Sequence, residues 1–394
     1  MQNVQYDDFD SEVKASLSEI VEFIQDSWKQ LLAAGIVGAA LGFGGWSFFG
    51  NYKAELILLN NTNTNTNTNN AYGLDLVTWR TLQKSLPNLA SQMLADEKLI
   101  SDARVMYREM DNAKWWSKNI IPTYAISKAD AKDLAGISKE LDNASTTILS
   151  LTVYAESTSK TGSLEDVRLA ARFVKSGGAY LQIKSVLNAY EGDAIGTAAD
   201  IQNQITSTEI EQSYLRERVK GLEVLLKRFP GNAGANQQVV DPKESGAKFL
   251  PLTTQIIAVN NDINQNKERL IRLNVRLNQI ALMKQFLIEA LPLAETELDG
   301  IVLSKSLLSI EEKLRKGLPE VDVKNRQALD QLRSQLLTIE ARFTKGLEAN
   351  TAPVTKKTGM IKYTAVGLAA AEFITLFYLL GRKVLGGLNK KQRA

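Results

Sequence analysis

One carboxylate stands inside an apolar run: Glu372, near the middle of Tyr363–Leu380. An ionised carboxylate at that depth in hydrocarbon is unfavourable by several kcal/mol, so it must face protein, water or a partner. Three chemistries fit such a group. It can hydrogen-bond a neighbouring hydroxyl or backbone group and be purely structural. It can contact another membrane segment or the matching segment of a neighbouring copy. It can relay a proton, which is the weakest of the three, because neither apolar run holds a second charge to receive one. Elsewhere the chain offers little reactive chemistry. It has no Cys and no His, which removes disulfides, thiolate nucleophiles, Cys metal sites, the commonest general base and the commonest transition-metal ligand. No G-x-x-x-x-G-K-[ST] loop, G-x-S-x-G elbow or H-E-x-x-H motif is present. Close acidic neighbours such as Glu109 and Asp111 are interspersed with Lys and Arg, as on solvated helix faces. No catalytic, cofactor or metal residue is therefore assigned, and the chain is expected not to be an enzyme. A net charge of +3 lacks the basic excess that a nucleic-acid partner requires. The polar face Asn260, Asn264, Lys267, Arg272, Asn274, Arg276 and Asn278 could contact polysaccharide, although a plain wetted surface has the same composition.

The elements that carry these residues begin with two apolar runs, Leu31–Phe49 and Tyr363–Leu380, each close to the roughly 20 residues that cross a bilayer as a helix. The acidic flank before the first (Asp7, Asp8, Asp10, Glu12, Glu19, Glu22, Asp26) is unlike the positive start of a cleaved signal, so a retained anchor is expected. Arg382, Lys383, Lys390, Lys391 and Arg393 follow the second run, and the positive-inside rule places that tail in the cytoplasm. Two crossings then put both termini inside and the middle outside. Gly38 and Gly42 form a G-x-x-x-G in the first run, and Gly367 and Ala371 form a small-x-x-x-small in the second. Both patterns allow close backbone approach. Residues 11–29 read as an amphipathic helix capped by Ser11, lying at the membrane interface.

Between the runs the pattern is mixed. Tyr52–Leu59 reads as a strand, followed by an Asn/Thr repeat over 60–70 that buries nothing. Residues 72–145 read as largely helical, anchored by Trp79, Trp115 and Trp116. Ile148–Ala155 alternates as a half-buried strand with Leu149, Leu151 and Val153 on one face. Ser163 is the expected cap of a helix running to about Tyr190, interrupted or weakened at Gly177–Gly178. Ala198–Phe229 is a long polar helix, and a Gly/Asn-rich loop runs from Pro230 to near Pro251. The clearest periodicity follows. Ile256, Val259, Ile263, Leu270, Leu273, Leu277, Ile280, Leu287 and Leu291 repeat at heptad spacing, with Asn266 and Lys284 as polar interruptions. That helix is about 60 Å long and is expected to pair with Ala198–Phe229 as an antiparallel hairpin. Pro292 and Pro319 should divide the return into helices over about 295–316 and 320–347, with residues 351–362 as a linker.

This order resembles the polysaccharide co-polymerases, the chain-length determinants of lipopolysaccharide O-antigen synthesis. The residues carrying the likeness are 12–50, Tyr52-Lys-Ala-Glu-Leu-Ile-Leu-Leu59, and Ile148-Leu-Ser-Leu-Thr-Val-Tyr-Ala-Glu156 leading into the 163–190 helix. Only Pro353 stands where that family has a proline-rich stretch before its second span. No Walker motif is present, so the likeness is to the kinase-free, Wzz-type class. It implies an α+β membrane protein: two transmembrane helices, a membrane-proximal α/β base over 51–195, and a long projecting helical hairpin or coiled coil within 196–350. It further implies a homo-oligomeric ring, with an octamer as one expected size, acting with the O-antigen polymerase in the bacterial inner membrane. A membrane-anchored sensor or adaptor with a helical outer domain is the competing reading.

Overall fold

The computed structural model describes residues 17–61, 73–95, 101–125, 148–230 and 251–391. The expected Ser11 cap, the Asn/Thr repeat beyond Asn61 and the loop over 231–250 lie outside them. In chain order the elements are α1 (Leu17–Phe49), β1 (Tyr52–Asn60), α2 (Leu76–Ala95), α3 (Ser101–Met110), α4 (Ala113–Asn119), β2 (Ile120–Tyr124), β3 (Ile148–Ser157) and α5 (Lys160–Gly192). A π-helical turn over Asp193–Thr197 leads into α6 (Ala198–Arg228), then α7 (Leu252–Thr296), α8 (Gly300–Gly317) and α9 (Val323–Ala341). A second π turn, Arg342–Gly346, precedes β4 (Leu347–Ala349), β5 (Val354–Lys357) and α10 (Met360–Lys391). The strands form one sheet in the order β2-β3-β1-β4, with β5 also pairing to β1. The protein is thus α+β, mostly helical, with two long apolar helices near its ends.

Contacts divide the chain into two units. One comprises residues 1–56, 153–168 and 351–394, and the other residues 57–152 and 169–350. In the first, α1 is a single 33-residue helix, so the amphipathic lead and the apolar run are continuous. The start of β1 pairs antiparallel with β5, Tyr52 opposite Lys357 and Glu55 opposite Val354. The stretch expected as a linker therefore carries a strand. An edge of β1 left bare would expose a row of backbone donors and acceptors, and β5 satisfies them.

In the second unit α5 is the central helix. Phe173, Val174, Ala179, Tyr180, Ile183 and Leu187 are all buried along it. It packs on segments from residue 300 onward: a Cβ on Gly300 would strike the backbone of Ala179 and Tyr180. Gly177 and Gly178 sit inside an unbroken helix. A Cβ on Gly177 would meet the Leu86 and Leu89 side chains, and one on Gly178 would strike the Phe343 ring. The pair is small because its neighbours are close, and that packing outweighs the poor helix propensity of Gly. Trp79 and Trp116 are fully buried, and Trp115 meets Trp116 edge-on at 5.4 Å.

Several local expectations are corrected. Ile120–Tyr124 is strand rather than helix, because α4 ends at Asn119 and the chain joins the sheet. In β3, Leu151, Val153 and Ala155 are buried but Leu149 is exposed. The strand's start is covered instead at Ile148 and Ser150, and Ile148 O accepts from buried Asn60. Asn60, expected to begin the repeat, is a strand residue whose amide also bonds both backbone groups of Leu74. The cap of α5 is Ser159, whose Oγ accepts from Gly162 N, while Ser163 lies inside the first turn and donates to Lys160 O. Pro292 does not end α7, which runs 45 residues to Thr296. So near the C-terminal end its missing N–H removes one bond, and Thr296 Oγ1 donates to Pro292 O.

Candidate functional site

Two sets of residues were singled out by the sequence, and each falls within one unit. The first is the α1–α10 pair. Gln25–Phe49 and Met360–Lys383 each have a mean hydropathy of 1.6, with only 11% and 6% of the window buried. The core helix of a soluble domain would hide such side chains. Here Leu41, Phe48, Phe49, Phe373, Ile374 and Phe377 stand outside the protein. Helices with satisfied backbones and an apolar exterior suit hydrocarbon, and the pair fits a two-pass membrane protein.

Between the two helices runs a seam of glycine and alanine. A Cβ on Gly38 would collide with Ala371 Cβ and lie 2.5 Å from Gly367 O. A Cβ on Gly42 would fall on the Tyr363 carbonyl and 2.9 Å from Thr364 Cα. A Cβ on Gly367 would meet the Gly38 carbonyl and lie 2.8 Å from Gly42 Cα. Gly38, Gly42, Gly367 and Ala371 are thus brought together within one chain, backbone against backbone. Gly44 and Gly45 face open space, with nothing within 4 Å. Glu372 lies beside this seam. Its Oε1 is 3.2 Å from where a Gly35 Cβ would stand, and the residue is exposed. A bulkier residue at Gly35 would press on the carboxylate.

At one end the pair is tied by a collar that sequence reasoning missed. Trp46 Nε1 donates to Thr358 O at 3.0 Å, and Thr358 N donates to Asn51 O at 2.8 Å. Lys357 Nζ donates to Ser47 O at 2.5 Å. The same ammonium lies 5.6 Å from the Trp46 ring centroid and 5.1 Å from that of Tyr52. Tyr363 OH reaches Phe49 O at 3.4 Å. Gly359, at φ +91°, turns β5 into α10, a conformation that L side chains rarely adopt. Aromatic rings, a lysine and satisfied carbonyls at the end of an apolar helix are the chemistry of a membrane–water interface. The signal was present as Trp46 and Lys357, but their pairing across 310 residues is not periodic and left no trace in either local pattern.

The second set is the heptad stripe of α7. Val259 and Ile263 are buried against Val219 and Leu222 of α6, with Ile256 half-buried beside them. Ile280 is buried with Ile201 and Ile205, with Leu270, Leu273 and Leu277 half-buried around them. As the α7 number rises the α6 number falls, so the helices run antiparallel. Beyond Ile280 the buried face becomes Leu282, Met283, Phe286, Leu287, Ala290 and Ala294. There α7 leaves α6 and packs on α8 and α9, so Leu287 belongs to the larger core rather than the hairpin. Between the two apolar clusters lies a polar layer. Thr208 and Gln212 are buried, Gln212 Oε1 accepts from Arg216, and the Asn266 Nδ2 is buried without a partner. On α6, Ile210, Tyr214, Val224 and Leu225 are exposed. Their spacing puts them on the face opposite Ile201, Ile205, Val219 and Leu222. The polar face of α7 is exposed too, with Arg272 paired to Glu268 and Arg276 to Asp193.

No group of three or more acidic side chains placed to hold a metal occurs among the described residues. No family model and no curated protein matches this chain. Among solved structures it is similar to a full-length bacterial polysaccharide co-polymerase, at 11% identity and a TM-score of 0.33, over 95% of this chain and 99% of that one. A likeness that loose transfers no residue and no role.

Proposed function

We propose that this chain is a non-enzymatic, ring-forming regulator of surface-polysaccharide chain length, of the kinase-free class that its sequence resembles. It sits in a bacterial inner membrane with both termini in the cytoplasm and the residues between the spans in the periplasm. Identical subunits assemble through the exposed face of α6 and work beside the polysaccharide polymerase, with O-antigen as the product. The observation that carries the reading is the anchoring itself. Both spans are locked to each other along a small-residue seam and tied again at the collar, which fits a rigid two-point mount better than a signalling piston. The apolar stripe on α6 supports assembly, since exposed apolar patches on a polar helix mark interaction surfaces. Glu372, beside the seam and exposed, is the residue we assign to contact with a neighbouring membrane helix.

The test is the mass of the complex extracted in nanodiscs, read by mass photometry. A closed assembly of many copies supports the reading. A monomer or simple dimer sinks it and favours the sensor or adaptor.

A further inference from the structure

A polar groove runs between α5 and α9, and no role has been given to it. The two helices are antiparallel, as two bonds show. Arg342 Nη1 donates to Gln182 Oε1 at 2.9 Å, and Tyr190 OH donates to Gln335 Oε1 at 3.0 Å. Around the first bond the groove encloses about 710 Å³, its open mouth included. Near Tyr190 lies a separate, water-sized space of about 30 Å³, walled largely by Arg276, Gln279, Ile280 and Met283 of α7. The larger space, with about 370 Å³ that a ligand could fill, falls within the range of small-molecule sites. The walls of the larger space are unusual for a surface rich in charge. They present amides and hydroxyls (Gln182, Ser185, Ser334, Gln335, Thr338), two aliphatic side chains and one charge, Arg342. No carboxylate lines it.

Arg342 is under-satisfied. Its Nε is buried and has no hydrogen-bond partner. Asp75 feels the Arg342 charge, but its own oxygens are taken by the Thr78 amide and hydroxyl. Arg342 also opens a π-helical turn, and such turns recur at functional sites. The other helix of the groove ends in a π turn as well, Asp193–Thr197, beside the smaller space.

We propose that this groove binds an acidic glycan, with the carboxylate of a uronate-type sugar on the Arg342 guanidinium. Amides and hydroxyls both donate and accept, as sugar hydroxyls do. Val186 and Ile339 offer apolar contact to the C–H faces of sugar rings. The guanidinium supplies the fork that a carboxylate fits. A peptide would want apolar anchor pockets or a free strand edge, and this groove offers neither. The inference deepens the proposed function by naming a ligand class, and it stands on different residues.

The experiment titrates full-length protein in nanodiscs with oligogalacturonate, a neutral dextran oligosaccharide and poly-glutamate, by calorimetry. Oligogalacturonate is expected to bind, and the other two to bind at least tenfold more weakly. Arg342→Gln should weaken oligogalacturonate about 10- to 100-fold, the scale of a lost charge-assisted pair. Arg342→Lys should recover part of that loss, because charge remains while the fork is gone. Melting temperature and complex mass, measured on each variant, show that the fold is kept. Absence of oligogalacturonate binding, equal binding by the Arg342→Gln variant, or equal binding of dextran or poly-glutamate overturns the proposal. Should Arg342→Gln fail to fold, Ser334→Trp, which fills the groove from its rim, must abolish binding instead. A many-copy complex that ignores oligogalacturonate sinks only the groove. Binding by a chain that proves monomeric sinks only the proposed function.

Discussion

The seam between α1 and α10 makes opposite predictions for the same substitution at two glycines of one helix. Gly38→Ala places a methyl group into Ala371 and 2.5 Å from Gly367 O, whereas ordinary contact lies at 3.4–4 Å. The neighbours there are backbone and Cβ atoms that have no rotamer to adopt, so the helices must part by about 1 Å. A gap of that size forfeits a quarter to a half of each dispersion contact. Overpacking of this kind costs about 1–3 kcal/mol. Gly44→Ala meets nothing within 4 Å. Both changes gain the same helix propensity, about 1 kcal/mol in water. Their difference therefore isolates the clash, and Gly38→Ala should be less stable than Gly44→Ala by about 1–3 kcal/mol. The chain has no Cys, so a bimane attached at Thr358→Cys is its sole label. Trp46, whose Nε1 lies 3.0 Å from Thr358 O, quenches it only while the pair is packed. Titration with SDS in mixed micelles then gives the free energy of separation for each variant. Equal midpoints for Gly38→Ala and Gly44→Ala would refute the packing and with it the rigid mount.

Other consequences follow from single sites. Glu311 is fully buried and accepts from Arg315 at 2.7–2.8 Å and Arg333 at 2.9 Å. Glu311→Leu should destabilise by about 2–3 kcal/mol in denaturant unfolding. That lies below the full penalty for an unpaired buried charge, because both arginines reach water and Arg315 keeps Asp330. Asn266→Leu removes a buried amide whose Nδ2 has no partner, and should raise the hairpin's melting stability by about 1–2 kcal/mol, whereas Ile263→Ala should lower it. Burial pushes the Asp75 carboxyl up, but bonds from the Thr78 hydroxyl and amide bring it below its ordinary 3.8. A carboxylate held low stabilises the fold above its unfolded value and loses that contribution as pH falls through its folded value. Unfolding free energy of the wild type should therefore drop below about pH 4 more steeply than that of Asp75→Asn. Glu372→Leu should shift complex mass or chain length while Glu372→Gln keeps both, and identical behaviour of the two would remove the partner contact.

Much of this fold was legible in local pattern. Two apolar runs, a heptad stripe and an alternating strand each follow from backbone geometry, and α1, α10, α7 and β3 form over those stretches. What escaped was set by distant partners. Gly177–Gly178 looked like a helix weakness because Phe343 and Leu86 are far away in sequence. β5 looked like a linker, since only its pairing to β1 makes it a strand. The heptad stripe reads as one feature to Leu291, yet its partner changes after Ile280, and periodicity does not name partners. Within the paired membrane helices, Gly38, Gly42 and Glu372 were visible by type and spacing. The collar of Trp46, Lys357 and Thr358 was not, because each of its bonds joins residues more than 300 positions apart.

A chain that sets polysaccharide length must leave its mark on the length distribution of the surface polysaccharide, resolved on gels. Cells lacking the chain should lose the clustered modal length and show a decaying, unregulated ladder. The wild-type chain should restore the mode, and Gly38→Ile should restore it poorly where Gly44→Ala restores it fully. An unchanged distribution on deletion, with the polysaccharide still made, would contradict the account.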